Sequence, residues 1–348
     1  MPAIKESRNP FRIFDRDKSI TERCGSDTLI YSKLWPIIFL FSSLTDIPMN
    51  LPKGSKPGQH RDWGWLPTLI VCGISAFLYY GYLCRIVHRP AQAIAYLVPF
   101  NILLIFYLVS YGRIISNTPG HAKDIELTKG KDKLYTVLGD PVWCNICCIW
   151  KPDRTHHCRV CGTCVLKMDH HCPWVNGCVG VSNQRYYIQF LFYTTVMGIW
   201  IFTTTLAAFI QFNSLATFDA IALCVLIVGG MLTFILSIFT MSHVLLILNN
   251  RTTLENSIFQ KWDRARKTGK SQDKRITMFT QTGKSVFDQG KKNNWQEVMG
   301  VRKLQWFLPF SSKQVSDGVH FGYNPDTLVE YNNDKSTRVI EEVKPNAI

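Results

Sequence analysis

Between Cys144 and Cys178 the chain holds the spacing Cys-x2-Cys-x9-His-x6-Cys twice. One set is Cys144, Cys147, His157 and Cys164; the other, shifted by fourteen residues, is Cys158, Cys161, His171 and Cys178. Three thiolates and one imidazole close a tetrahedral shell around Zn²⁺, and a shell with no open position supports structure rather than catalysis. The pattern predicts two structural zinc ions. Eight cysteines lie in this stretch and six are taken, which leaves Cys148 and Cys172. Cys148 stands beside a ligand with no acid or base next to it, whereas Cys172 ends the run Asp169-His170-His171-Cys172. A free thiol near pKa ~8.5 is only a few per cent thiolate at neutral pH, so a nucleophilic cysteine needs a base, and the base a partner that fixes its tautomer. His170 can be that base and Asp169 the partner, while His171, taken by zinc, would pin the backbone on both sides of the reacting pair. A spare buried thiol is the bland alternative for Cys172, and the adjacent Asp-His weighs against it.

The elements that must position this stretch are apolar. The chain has 348 residues, 47% of them hydrophobic, yet its mean hydropathy is only +0.02, so the apolar residues must be clustered. Spans are expected at 65–87, 91–115, 187–212 and 218–248, each long enough to cross a ~30 Å hydrocarbon core as a helix. They pair as two hairpins with short loops, which returns both tails to one side. Residues 34–44 form a shorter apolar stretch, expected at the membrane interface, and 50–64 a linker rich in Pro, Gly and Lys. The apolar run does not start early enough for a secretory signal peptide. The net charge of +14 could suit nucleic acid, but the clustered apolar spans assign it to the cytoplasmic face of a membrane protein. Lys and Arg crowd 1–63, 116–185 and 249–348, which puts both tails and the cysteine-rich segment in the cytosol. Twelve cysteines, most in metal-type spacing, agree with a reducing compartment.

The run Lys151-Pro152-Asp153-Arg154-Thr155-His156-His157-Cys158, then Asp169-His170-His171-Cys172-Pro173-Trp174, then Asn176, Cys178, Val179, Gly180 and Asn183 resembles the signature of the DHHC-type protein S-acyltransferases, or palmitoyltransferases. The resemblance implies an α-helical integral membrane protein with four transmembrane helices and a cytosolic domain holding two structural zincs between the second and third spans. Its parts would be an N-terminal segment (1–64), helices 1 and 2 (65–115), the zinc domain (116–186), helices 3 and 4 (187–248) and a C-terminal segment (249–348). Asn117-Thr118-Pro119-Gly120 after the second span fits that layout. Asn250-Arg251-Thr252-Thr253-Leu254-Glu255 looks like the family's Thr-Thr-x-Glu motif, in which Thr253 would support Asp169 by hydrogen bonding. Phe287-Asp288-Gln289-Gly290 with Asn293, Asn294 and Trp295 resembles its C-terminal packing motif, in which Asn294 would cap backbone groups.

The implied reaction has two stages. Cys172 attacks a fatty acyl-CoA with His170 taking the proton, and a protein cysteine then takes the acyl group. Burying a chain of about sixteen carbons is worth ~12 kcal/mol at ~0.8 kcal/mol per CH₂, so the site should open into an apolar cavity. The family match places Lys151, Arg154 and His156 on the CoA phosphates, with ordinary surface charge the competing reading. Trp174 would line the cavity mouth, or be a core aromatic. Met197, about 15 Å along the third helix from Tyr187, would close the far end of the cavity, or face lipid. The implied partners are membrane lipid, acyl-CoA and membrane-associated protein substrates, and the implied location is the endomembrane system. Two rivals are a membrane-anchored zinc adaptor of ubiquitin-ligase type, which needs no Asp-His-Cys set, and a small transporter. Against the latter, Arg85, Arg113, Asp219 and His243 all lie near helix ends, whereas transport sites usually lie deeper.

Overall fold

The computed structural model describes residues 65–86, 90–125, 142–212, 220–268, 279, 283–310, 316–327 and 329. The stretch 34–44, the linker 50–64, the first interhelical turn at 87–89 and the tail from 330 lie outside them. Four long helices carry the apolar residues: α1 (Leu66–Ile86), α2 (Pro90–Ser116), α3 (Gln184–Phe212) and α4 (Ala220–Leu248). Within the last three, Ile94–Ser116, Gln184–Gln211 and Ala222–Leu248 are each long and apolar enough to cross a membrane. The first helix has 21 residues, roughly 31 Å at ~1.5 Å per residue, and its described apolar part is the shorter Leu66–Tyr80.

Local chemistry sets the helix ends. Pro90 opens α2, where a missing N–H costs nothing. Helix α3 begins at Gln184, three residues before the expected Tyr187, because Asn183 closes the preceding turn. Its Oδ1 accepts from Gly180 N (2.9 Å) and its Nδ2 donates to Cys178 O (3.0 Å). Gly180 itself admits no side chain, since a Cβ there would stand 2.5 Å from Pro119 O and 2.7 Å from Val165 Cγ1. That close approach ties the Asn117–Gly120 segment to the cysteine-rich domain, with Leu166 N donating to Gly120 O (2.9 Å) and Ser182 N to Pro119 O (3.2 Å).

The helices close a ring in which each packs on the next and α1 meets α4. The start of α1, the end of α2, the start of α3 and the end of α4 therefore share one end of the bundle. Thr68 of α1 and Tyr111 of α2 both donate to the carbonyl of Trp174 there (3.4 and 2.9 Å). Six short strands form three antiparallel hairpins at this end: β1 (Val142–Cys144) with β2 (Ile149–Lys151), β3 (His156–Cys158) with β4 (Thr163–Val165), and β5 (His170–Cys172) with β6 (Gly177–Val179).

Beyond α4 come α5 (Thr253–Lys267), α6 (Lys291–Met299) and α7 (Lys303–Phe307). Helix α5 starts with a capping box: Glu255 N donates to Thr252 Oγ1 (3.2 Å) and Thr252 N to Glu255 Oε2 (2.8 Å), so two orphan donors are satisfied reciprocally. Asn294 of α6 donates to Leu248 O (2.8 Å), the last carbonyl of α4, and accepts from Gln289 N (2.9 Å). Helix α7 lies along α3, with Gln189 donating to Gln305 O (2.9 Å) and Tyr193 to Phe307 O.

Candidate active site and metal centres

Adjacent residues of a strand point to opposite faces, and the interleaved spacing exploits this. In β3, His157 turns to one cluster and Cys158 to the other. Each cluster joins the turn cysteines of one hairpin to the cross-strand His-Cys pair of the next: Cys144 and Cys147 with His157 and Cys164, then Cys158 and Cys161 with His171 and Cys178. Within each set the Sγ and Nδ1 atoms are 3.3–3.8 Å apart. A tetrahedron with metal–sulfur bonds of ~2.3 Å and metal–nitrogen bonds of ~2.0 Å has such edges of about 3.6 Å. Both sets therefore fit a four-coordinate metal ion. The N–H groups of Cys147 and Cys161 point at the sulfurs of Cys144 and Cys158 (3.5 and 3.4 Å), as donors to anionic ligands would.

Strand β5 sorts its three residues by the same alternation. His171 faces the second cluster, while His170 and Cys172 share the opposite face. Cys172 is buried in the hydrophobic cluster of the helix bundle, together with Tyr111, Tyr187 and Met197. His170 Nδ1 lies 2.6 Å from Asp169 Oδ2, which leaves Nε2 for Cys172. Asp169 accepts twice more, at Oδ1 from Thr253 N (2.9 Å) and at Oδ2 from Thr253 Oγ1 (2.8 Å). Burial opposes charge on His170, but its hydrogen bonds to Asp169 and Cys172 outweigh it and push the imidazole up to about 10. Burial also opposes charge on Asp169, yet His170, His243 and the Thr253 N–H hold its carboxyl below the usual carboxylate range. The carboxylate and the imidazole each favour the charged form of the other. Cys148 lies apart from this centre, exposed in the β1–β2 turn.

Residues 138–260 match the family model DHHC palmitoyltransferase. Palmitoyltransferase ZDHHC15 of Rattus norvegicus is 31% identical over 298 residues, 75% of this chain and 82% of that protein. The chain belongs to the DHHC palmitoyltransferase family. Palmitoyltransferase ZDHHC2 of Danio rerio is 29% identical over 79% of this chain and 82% of its own length. Probable protein S-acyltransferase 13 of Arabidopsis thaliana is 31% identical over 72% of this chain and 85% of its own.

Within this DHHC chain, one expected CoA contact is corrected. The Arg154 side chain is 0% exposed, and all its donor groups are engaged. Its Nε and Nη2 donate to both Glu255 carboxylate oxygens (2.7 and 2.8 Å), Nη1 to Asn250 Oδ1 (2.8 Å), and Nη2 also to Asn250 O (3.1 Å). Phe287 and Phe321 cover the guanidinium at 4.8 and 5.1 Å. A phosphate cannot reach it, and its work is to lock the cysteine-rich domain to α5. Lys167 does the same to α6 through Glu297 (2.7 Å), whose other oxygen accepts from Asn250 Nδ2 (2.8 Å). Two cations and two carboxylates thus neutralise one another inside the protein, and none is left uncompensated.

Lys151 and His156 are half-buried near that network. Burial first, then Lys151 and Arg154, lower the His156 pKa, against the pull of Glu255. Trp174 packs partly buried against the bundle core. Sequence reading missed three residues of this centre. Glu255 and Lys167 find their partners only through the fold. His243, near the end of α4, reaches within 4.0 Å of Asp169 Oδ2. An ionisable residue in an apolar helix was the available signal for it.

Proposed function

We propose that this chain is a protein S-acyltransferase that takes a long fatty acyl group from acyl-CoA onto Cys172 and passes it to cysteine thiols of membrane-associated proteins. The observation that carries this is the Cys172-His170-Asp169 line, with its thiol turned into the apolar bundle and its imidazole tied to a buried carboxylate. The relatives' names, palmitoyltransferase and protein S-acyltransferase, support the reaction class. All four helices are taken as spans, α1 included, with the hairpin domain and both tails on the cytosolic side of an endomembrane. The domain limits are 1–64, 65–115, 116–186, 187–248 and 249–348.

His170 takes the proton of the Cys172 thiol, and the buried Asp169 carboxylate bonded to its Nδ1 favours the imidazolium that results. The Cys172 sulfur attacks the thioester carbonyl, its S–C bond forms as the CoA S–C bond breaks, and His170 returns the proton to the departing CoA sulfur. In the second stage neutral His170 takes the proton of a substrate thiol, whose sulfur attacks the acyl-enzyme and releases Cys172. Asp169 stabilises the imidazolium and Thr253 orients Asp169. Lys151 and His156 would meet the CoA phosphates, and Trp174 would line the mouth of the acyl cavity. Two zinc ions on Cys144, Cys147, His157, Cys164 and on Cys158, Cys161, His171, Cys178 would hold the domain's shape. Asn294 supports it from the C-terminal side by capping α4.

Incubation with alkyne-tagged palmitoyl-CoA tests the proposal. Label that maps to Cys172 and leaves with neutral hydroxylamine supports it; absence of label, or label on another cysteine alone, rejects it.

A further inference from the structure

His243 is 5% exposed in an otherwise apolar helix, where an ionisable side chain is expensive unless it has a task. Its Nδ1 stands 4.0 Å from Asp169 Oδ2. Its ring lies 5.8 Å from the His170 ring, 5.2 Å from Tyr187 and 4.6 Å from Phe239. Tyr187 in turn meets His170 edge-on at 5.3 Å. His170, His243 and Tyr187 therefore form a triangle of rings over one carboxylate.

The two Asp169 oxygens already accept from Thr253 N, Thr253 Oγ1 and His170 Nδ1. Among the described residues neither ring nitrogen of His243 makes a hydrogen bond, so it is not an anchor for the helix backbone. What it offers is a polar ring edge 4.0 Å from Oδ2, the same Asp169 oxygen that accepts from His170 Nδ1 and Thr253 Oγ1. We infer that His243 is a positioning residue for acyl transfer, fixing the Asp169–His170 pair from the bundle side so that His170 stays aimed at Cys172. The inference rests on the acyl-transfer reading above. A phenylalanine there would fill similar volume but set an apolar edge against the carboxylate, whereas asparagine would keep a polar N–H without the ring.

The test is single-turnover acylation by palmitoyl-CoA in detergent or nanodiscs, with metal content measured on the same samples. His243→Phe should form the hydroxylamine-labile adduct about tenfold more slowly, as a small misplacement of a catalytic group does, with unchanged acyl-CoA KM and metal content. His243→Asn should regain most of the rate. A wild-type rate in His243→Phe overturns the inference. So does equal loss in the Phe and Asn variants, which assigns His243 to packing. A wild-type enzyme that forms no such adduct removes the acyl-transfer reading and this inference with it.

Discussion

Cys158 and Cys172 stand at the same point of successive hairpins, fourteen residues apart, yet one joins a metal-type cluster and the other faces the helix bundle. Cys144 begins the series another fourteen residues earlier. Each ends the first strand of its hairpin, and each is followed four residues later by a left-handed residue: Cys148 (φ 53°), Gly162 (65°) and Asn176 (49°). In the first two turns the third residue after the leading cysteine is a second cysteine, Cys147 or Cys161; in the third turn it is Val175. Beyond the third hairpin Arg185 and Phe192 occupy the places where another His-Cys pair would fall, and α3 is already under way. Cys172 thus sits in a ligand's seat without a partner thiolate. On the proposed reading of Cys172, the difference teaches how a nucleophile can be held like a ligand without being one, because its backbone neighbour His171 belongs to a cluster while its own side chain does not.

The largest effect should separate His171 from His170. A structural zinc contributes on the order of 10 kcal/mol to folding, so His171→Ala should lose metal and unfold the domain, while His170→Ala keeps metal and fold and loses acylation. Metal content and thermal stability in detergent check this, and equal values in the two variants would break the comparison. Next comes Arg154. Removing one partner of a buried pair costs ~3–5 kcal/mol, so Arg154→Ala should lower stability markedly, whereas Lys151→Ala should change it by less than ~1 kcal/mol and raise the acyl-CoA KM. Val175→Cys sharpens the repeat more directly by giving the third turn its second thiol. That variant should lose most of its acylation when Zn²⁺ is added and recover it with a weak chelator, an effect absent from wild type. The smallest effect is expected at Met197, which is buried in the same cluster as Cys172. If it bounds the acyl cavity, Met197→Ala should favour longer acyl-CoAs and Met197→Trp shorter ones in a chain-length ladder.

The parts legible in the sequence are those whose partners are near in the chain. The two metal sets and the Asp169-His170-Cys172 line follow from spacing and from the two-residue period of short strands. Apolar runs placed the helices within a few residues, and the early start of α3 reflects the Asn183 turn, which hydropathy does not register. Arg154 was misassigned because its partners Asn250 and Glu255 lie 96 and 101 residues away, and a lone arginine in a basic stretch looks like surface. His243 was read only for its nearness to a helix end, since nothing local links it to Asp169.

The central claim is that Cys172 occupies a ligand position but serves as the nucleophile, and parallel serine variants of Cys158 and Cys172 test it most directly. Zinc per chain and hydroxylamine-labile label from palmitoyl-CoA would be measured on both. Cys172→Ser should retain the wild-type zinc content and carry no label, while Cys158→Ser should lose zinc. Loss of zinc from Cys172→Ser, or labile label persisting on it, would contradict the account.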